Sequence, residues 1–393
     1  MARLTGQDPN NVSTLVNQDI LGNYKNKDEI TSFYNMAQHA DNKGKRSSPN
    51  NYIKATLKDP KNYPLTVQLN SLVTKVLFSN NAAASSLPTA IGVEVLQGGS
   101  MYKADPKHVP GAKVPPTTFT AKREVIVSGG AFNSPQILKL SGIGPADELK
   151  KFKIPLIKDL PGVGERLSDN YEGSVLALGK VPVDSGLITM MFRTPSAPTK
   201  KRNIFTWCGA FSFEGFWPGF PEYYGPDQFT CAIVHMGPKS QTGSVRLTSA
   251  DPQDVPDINF RFFEKNGDQD LKEMVEAVNL LRKAWQAAGP SVLPFNESHP
   301  CPGTGAGNCS DAEQAETIKT QAYSHHASST CAIGADGDRL AVLDSKFRVR
   351  GVRNLRVVDA SAFPVVPGAF PVLPTFMLSA KAAEDIIADA KKR

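Results

Sequence analysis

The chain has 393 residues, of which 40% are hydrophobic and 21% are charged. At roughly 150 residues per domain, this length predicts two or three domains or one large two-lobed unit. The composition excludes disordered, collagen-like and disulfide-scaffold proteins. The formal net charge of +6 is too small over this length to indicate nucleic-acid or membrane-surface binding. A small molecule or a protein is therefore the expected partner.

The five cysteines do not follow the spacing of a structural zinc site, so no metal is expected. Cys301 and Cys309 flank a Gly-rich loop that a disulfide could close. Cys208, Cys231 and Cys331 lie in apolar contexts that are typical of buried thiols.

Two segments bear on targeting, and neither predicts a membrane anchor. The first residues contain no apolar run typical of a signal peptide, which leaves the compartment unknown. Residues 360–380 are uncharged and apolar, but four prolines and Gly368 would break a spanning helix. We expect a buried, proline-stiffened loop there and no membrane span.

The amino-terminal part of the chain predicts a small antiparallel unit and then a strand that leads into a helix. Residues 1–60 are polar and irregular, whereas 65–78 and 91–96 have the composition of paired strands. Residues 123–128 form a short buried strand that runs into Gly129, and Asn133 or Ser134 would cap the next helix. Free N–H groups at such a turn suit a cofactor, but ordinary strand-to-helix turns look the same.

Later segments predict a second, larger antiparallel sheet. Residues 228–234 and 243–247 are strand-like, and apolar residues recur at helical spacing over 271–285, so this helix should pack on the sheet. A last strand, 354–358, and a last helix, 375–390, complete the chain. The basic run 346–356 is interpreted as the solvent face of strands and not as a nucleic-acid site.

The adjacent His325 and His326 are the strongest candidates for chemistry. In a strand, neighbouring side chains point to opposite faces, so one histidine would reach a cavity while the other packs. A histidine suits general-base catalysis near neutral pH, although surface or core histidines are commoner. No GxSxG motif is present, and the GxGxxG-like string 303–308 does not follow a strand, so neither a hydrolase nor a dinucleotide fingerprint is indicated.

Taken together, five sequence strings resemble the glucose-methanol-choline (GMC) family of flavin oxidoreductases. The first is GGAFNSPQILKLSGIG at 129–144, which resembles a family signature. The others follow in the family's order: DLPGVGE at 159–165, GSVRL at 243–247 with Asp251-Pro252, His326 leading to Thr330-Cys331 and Gly334, and VVDAS at 357–361 with Pro374-Thr375 and the last helix. The matches span roughly residues 43 to 390.

The resemblance implies a mixed α/β and α+β fold. It would have an incomplete Rossmann-type FAD-binding lobe (1–165 and 354–393) and a substrate lobe with an antiparallel sheet and helices (166–353). It also implies FAD as cofactor, a small-molecule alcohol as substrate, and hydride transfer from CH–OH to flavin N5 with His326 as base and His325 as its accessory neighbour. The implied cofactor-binding positions are Val73, Gly129, Gly130, Ala131, Asp359, Ala360, Ser361, Phe370 and Pro371.

This sequence departs from the family pattern in three places. No GxGxxG fingerprint precedes residue 44, as if on the order of two hundred residues were missing. Phe370 stands where the family usually has Asn or His, so His326 acts as a single base, its polar partner comes from elsewhere, or activity is lost. Arg166 replaces a usual Asn, which would favour an acidic substrate or is surface variation.

Two other functions remain open at the level of sequence. One is a truncated, non-catalytic GMC paralogue, and the other is a hydroxynitrile lyase on the same fold. The aromatic residues around Trp207, Phe211, Phe213, Phe216, Trp217 and Tyr223 suit an apolar or aryl alcohol but equally suit core packing. The sequence does not distinguish an oxidase from a dehydrogenase, and it leaves the oligomeric state unknown.

Overall fold

The structure is a computed structural model. It describes residues 1–393 except 1, 4–5, 24, 36–37, 80–86, 112–113, 183–185, 216–218, 220–222, 288–295, 305–308 and 393. Part of the GxGxxG-like string, together with Phe216 and Trp217, thus lies outside the described residues. Across the described ranges, no helix is both long and apolar enough to cross a membrane.

Seven α-helices are present in the described parts of the chain. They are α1 (Val12–Val16), α2 (Pro49–Leu57), α3 (Gly130–Leu140), α4 (Ala146–Lys151), α5 (Gly267–Gln286), α6 (Asp311–Gln321) and α7 (Val372–Ala390). Short 3₁₀ turns occupy Pro9–Asn11 and Ala360–Ala362.

The strands form one large sheet and several small ones. In chain order they are β1 (Ser32–Asn35), β2 (Ser71–Phe78), β3 (Ala90–Gln97), β4 (Pro116–Thr120), β5 (Val125–Val127), β6 (Ile143–Gly144), β7 (Lys158–Asp159), β8 (Tyr171–Leu178), β9 (Ile188–Phe192), β10 (Ile204–Gly209), β11 (Gln228–His235), β12 (Ser244–Arg246), β13 (Asp257–Asn259), β14 (Asn296–His299), β15 (Gly303–Thr304) and β16 (Leu355–Val357). The large sheet has the order β1-β9-β10-β11-β8-β14-β15.

The large antiparallel sheet and α5 share one hydrophobic core. On α5, Met274, Val278 and Leu281 are buried at helical spacing, and Val175 and Ile233 of the sheet belong to the same cluster. An apolar stripe of this kind is stable only when it packs against another element. The prediction of an amphipathic helix on an antiparallel sheet is therefore confirmed. We call this sheet with α5 the antiparallel region.

A second core surrounds a parallel pair of strands. β5 pairs with β16 in parallel register, with Val125 opposite Leu355, and these strands pack with Leu138 of α3. The antiparallel sheet β2-β3-β4 lies beside them, as predicted for this part of the chain. We call β5, β16, α3 and α7 the parallel region. The boundaries at 165 and 353 remain a prediction, and β1 pairs with β9 of the large sheet.

The start of α3 differs from the prediction. The helix begins at Gly130, so Asn133 and Ser134 lie within its first turns and do not precede it. The Ser134 hydroxyl nevertheless accepts a hydrogen bond from the Gly129 N–H at 2.9 Å. Gly130 has φ +81°, a backbone conformation that glycine adopts without steric cost, which allows the sharp entry into the helix.

Four of the five cysteines form two disulfides. Cys208 and Cys231 face each other across β10 and β11 and form a disulfide, so they are not free thiols. Their pairing depends on strand register, which the sequence does not reveal. The Cys301–Cys309 disulfide, which the sequence left open as a possibility, is present, and Cys331 is a buried free thiol as expected.

Two further expectations about exposure were wrong. Arg356 is buried, with its side chain only 2% exposed, because it forms ion pairs with Glu124 and Asp389. The proline-rich segment 360–374 is only partly buried, and Val365 and Phe370 are exposed.

Candidate active site

The histidine segment runs alongside the chain that leads into β8. Glu172 and Tyr323 form an antiparallel bridge, and so do Ser168 and Ser328. The Asp169 carboxylate accepts the backbone N–H of His326 at 2.8 Å. These contacts fix the backbone of His326 against a buried strand, so the histidine is held by neighbours far away in sequence.

Glu172 contacts both histidines. Its Oε1 atom is 2.9 Å from Nδ1 of His325 and 3.0 Å from Nδ1 of His326. The two imidazole rings stack at 5.1 Å with an angle of 9° between their planes. Glu172 and His326 are buried, whereas the His325 side chain is 51% exposed. The three groups thus extend from the interior to the surface.

The expectation that the two histidines point to opposite faces was wrong. Residue 325 lies in a bend and outside any regular strand, so side-chain alternation does not apply. Both rings therefore turn to the same carboxylate. No regular strand forms here because α6 ends at Gln321. The segment after it pairs with the chain around β8 through isolated bridges.

Burial and charge set the protonation of this cluster. Desolvation, together with the nearby charge of His325, lowers the pKa of His326 to about 4. The His326 ring is therefore neutral at neutral pH and carries a lone pair. The hydrogen bond to Glu172 raises the pKa of His325, while burial raises the pKa of Glu172.

Phe370 packs edge-on against His326, with 5.2 Å between the ring centroids. The same ring contacts Phe205 and Trp207. Phe370 also lines a cavity of about 1140 Å³, whose wall includes Met191, Met236 and Phe205. Phe370 thus separates His326 from a largely apolar cavity, and Glu172 supplies the polar neighbour that position 370 lacks.

Asn170 connects the histidine cluster with the loop before Phe370. Its Nδ2 atom donates to the carbonyl oxygens of Ala369 at 2.8 Å and of Pro367 at 3.3 Å. Asn170 is fully buried. The orientation of the Phe370 loop therefore depends on a residue next to Asp169.

The positions assigned to the cofactor by resemblance meet largely at one edge of the parallel pair. β5 leads to Gly129 and β16 leads to Asp359, since parallel strands end at the same edge. The Asp359 carboxylate accepts the N–H of Gly130 at 2.9 Å and the hydroxyl of Ser134 at 2.6 Å. Open α/β sheets bind ligands at such an edge.

The histidine segment continues directly into this edge. The Thr330 hydroxyl donates to the Ala131 carbonyl, and the N–H groups of Ser329 and Cys331 donate to the carbonyls of Ala360 and Ser361. His326 is therefore tied to the cofactor positions by hydrogen bonds made three to five residues further along the chain.

The remaining two cofactor positions lie elsewhere. Val73 lies within β2 opposite Val95, and Pro371 precedes α7 and accepts a hydrogen bond from the Thr375 hydroxyl.

The residues at the edge fit one part of FAD better than another. A side chain at Gly130 would meet nothing within 4 Å, so the backbone there is open to close approach. The N–H groups of Gly129, Gly130 and Ser361, which were expected to be free, already donate to Ser134 or Asp359. A carboxylate at this position suits sugar or ribityl hydroxyls and repels phosphate. The site therefore fits the ribityl side of the cofactor.

Sequence reasoning missed Asp169, Asn170 and Glu172. They follow one another in the string SDNYE, which resembles any polar loop that precedes a strand. The sequence signal that could have found them is their position a few residues after the 159–165 motif. In the structure all three are buried. Burial of two acids within four residues is uncommon without a function or partner.

Comparisons with known proteins identify the family of this chain. Two family models, both described as GMC oxidoreductase, match residues 15–172 and residues 238–379. The "Glucose methanol choline oxidoreductase atC" of Aspergillus terreus is 34% identical over 364 residues, covering 82% of this chain and 55% of the relative. Mitochondrial choline dehydrogenase of Homo sapiens is 33% identical over 82% of this chain and 54% of its own length. The chain thus spans about half the length of these relatives.

Solved structures share the fold. Formate oxidase from Aspergillus oryzae RIB40 superimposes with a TM-score of 0.70 at 23% identity, covering 85% of this chain and 63% of that one. An FAD-dependent oxidoreductase from Chaetomium thermophilum gives 0.66 at 21% identity, covering 91% and 68%. Both are mixed α/β structures, as predicted. The family models and the relatives together establish that this chain belongs to the GMC oxidoreductase family, for which FAD is the indicated cofactor.

Proposed function

We propose that this protein is an FAD-dependent oxidoreductase that acts on the CH–OH group of small apolar alcohols, with His326 as the base. The observation that carries the proposal is the placement of His326. It is buried, neutral at neutral pH, held by Glu172 on its Nδ1 side, and four residues from the segment that bonds to Ala131.

The cofactor would be held by the edge that carries Gly129, Gly130, Ala131, Asp359, Ala360 and Ser361. When bound, FAD supplies the hydride acceptor of the reaction. The open backbone at Gly130 admits close approach, and the Asp359 carboxylate fixes the backbone of Gly130 and Ser361 through the hydrogen bonds that it accepts. Val73, Phe370 and Pro371 are assigned to the cofactor by the family resemblance.

His326 would take the proton of the substrate hydroxyl at its Nε2 atom, because Glu172 contacts Nδ1. A general base of this kind contributes about 10²- to 10⁴-fold to a rate. Phe370 cannot accept a hydrogen bond, so a single histidine carries the proton transfer. Glu172 orients the ring from the opposite side and offsets the positive charge that forms on it.

The apolar cavity supports the substrate class. Phe370 contacts His326 and lines the cavity together with Met191, Phe205 and Met236, whose hydrophobic surface favours an alcohol with an apolar or aryl substituent. Benzyl alcohol is a suitable probe because it carries both features.

The test is the absorption spectrum of the 393-residue chain after incubation with FAD, repeated with benzyl alcohol under nitrogen. We expect flavin bands that bleach on addition of the alcohol. His326→Ala should retain the bands but lose the bleaching, and His108→Phe, a change remote from the site, should behave like the parent chain. Bound flavin that no alcohol bleaches would overturn the proposed activity, and absence of bound flavin would overturn the role of this chain in holding FAD.

A further inference from the structure

Glu172, His325 and His326 bring three donor atoms together from separate parts of the sequence. One carboxylate oxygen and one ring nitrogen from each histidine lie within 4.8 Å of one another. The sequence analysis expected no metal because it searched for linear spacing, whereas residues 172 and 325–326 are brought together by the bridges Glu172–Tyr323 and Ser168–Ser328 of the folded chain. Two imidazoles with one carboxylate form a donor set that binds divalent transition metals.

The cluster contains buried polar atoms that the protein itself does not satisfy. In the described part of the chain, Oε2 of Glu172 and Nδ1 of His326 are buried and have no hydrogen-bond partner, so the contact of Oε1 with His325 leaves half of the carboxylate unsatisfied. Glu172 is 0% exposed. An ionised carboxylate in the interior costs several kcal/mol unless a positive charge or hydrogen bonds compensate it. A bound cation would supply that compensation.

The distances are close to those of a coordinated ion. Zinc binds imidazole nitrogen at about 2.0–2.1 Å in tetrahedral geometry, which places neighbouring ligand atoms about 3.4 Å apart. The two Nδ1 atoms are 2.9 Å and 3.0 Å from Glu172 Oε1. Widening the two Nδ1–Oε1 separations by a few tenths of an ångström would therefore admit an ion, and the half-exposed His325 ring offers a path from solvent.

We propose that Glu172, His325 and His326 bind one divalent ion of the zinc class, with water in the fourth position. Imidazole nitrogens disfavour Mg²⁺ and Ca²⁺, which prefer oxygen ligands. The consequence for activity rests on the proposed function: an ion on Nδ1 makes His326 a weaker base, so zinc should inhibit oxidation of the alcohol.

The direct test is calorimetric titration of the full chain with ZnCl₂ at fixed pH, with MgCl₂ as the second probe. We expect one zinc ion per chain and no heat from magnesium. Loss of a ligand should weaken zinc binding by about 100-fold in His325→Phe and in Glu172→Gln. His108→Phe, which removes a histidine outside the cluster, should bind zinc like the parent chain. Equal binding by the parent and both ligand variants would overturn the site.

A second readout separates loss of the site from loss of the fold. The visible spectrum of Co²⁺ reports its coordination directly, and circular dichroism of each variant reports folding. His325 is half exposed, so His325→Phe should fold even if Glu172→Gln does not. Zinc binding by a chain that never bleaches flavin would support this site and overturn the proposed activity. A chain that bleaches flavin and binds no zinc would overturn the site alone.

Discussion

Helices α5 and α7 have nearly equal length but pack in different ways. α5, with 20 residues, buries eleven of them against the large sheet. α7, with 19 residues, buries only Ala382. Its apolar residues remain exposed in the described structure, and they are Val372, Leu373, Phe376, Met377 and Ile387. An apolar stripe therefore indicates a helix in both regions. The stripe of α5 is buried in a hydrophobic core, whereas most of the apolar surface of α7 is exposed.

Polar contacts hold α7 where apolar burial does not. Arg356 of β16 bonds to Glu124 before β5 and to Asp389 near the end of α7. Asn170 ties the loop before α7 to the chain leading into β8. The comparison indicates that apolar packing holds α5 in the antiparallel region, while a few buried polar groups position α7 and the cofactor edge of the parallel region.

The largest expected effect is in the core of the antiparallel region. Leu281→Ala should lower the free energy of unfolding by about 2–5 kcal/mol, because Leu281 is fully buried and its removal leaves a cavity. Ile387→Ala in α7, where the side chain is 55% exposed, should stay within about 0.5 kcal/mol. Urea unfolding measures both. Similar losses in the two variants would contradict the contrast between the helices.

The second largest effect is expected at Arg356, whose ion pair with Asp389 holds α7. Arg356→Met should lower the free energy of unfolding by about 3 kcal/mol, because it leaves two carboxylates without their buried partner. Hydrogen exchange should rise along α7. The matched control is Lys381→Met, which removes an exposed ion pair with Asp385 and should cost about 0.5 kcal/mol or less. Unchanged exchange in α7 would show that Arg356 does not anchor it.

Binding of FAD should stabilise the parallel region. FAD at 100 times its dissociation constant should raise the free energy of unfolding by about 2.7 kcal/mol. Hydrogen exchange should slow at residues 129–131 and 359–361 and stay unchanged in β10 and β11, which lie in the other core. Protection spread evenly over both regions would contradict a cofactor site at the edge of β5 and β16.

The smallest effect concerns the link between the regions. Asn170→Ala should cost about 1 kcal/mol, since it removes hydrogen bonds to the carbonyls of Pro367 and Ala369. It should also slow alcohol-dependent bleaching of flavin by shifting Phe370 against His326. Asn259→Ala, at an exposed strand end, is the control and should change neither quantity. An unaltered bleaching rate in Asn170→Ala would separate the loop position from catalysis.

Much of the fold could be predicted from the sequence because the signals are local. The helical spacing of Met274, Val278 and Leu281 predicts α5, and the composition of 71–78 and 90–97 predicts paired strands. The start of α3 was misplaced because Ser134, a typical cap residue, bonds to Gly129 from inside the helix. The glycine that begins the helix carries no side-chain signal.

In the candidate site, too, local motifs predict some residues, while long-range contacts bring in others. The motifs predict His326 and the edge at Gly129 and Asp359, and the structure brings that segment and that edge together. Their roles in catalysis and cofactor binding remain predictions. Glu172 was missed because its contact with His326 spans more than 150 positions in the chain, and no spacing rule covers such a distance.

The sequence by itself determined the family, the order of the main elements and the histidine that carries the proposed chemistry, because these follow from motifs and from local periodicity. Only the tertiary structure decided that both histidines turn to Glu172, that Cys208 pairs with Cys231, and that Arg356 is buried between two acids. Each of these depends on strand register and on long-range packing, which bring together residues that no local pattern connects.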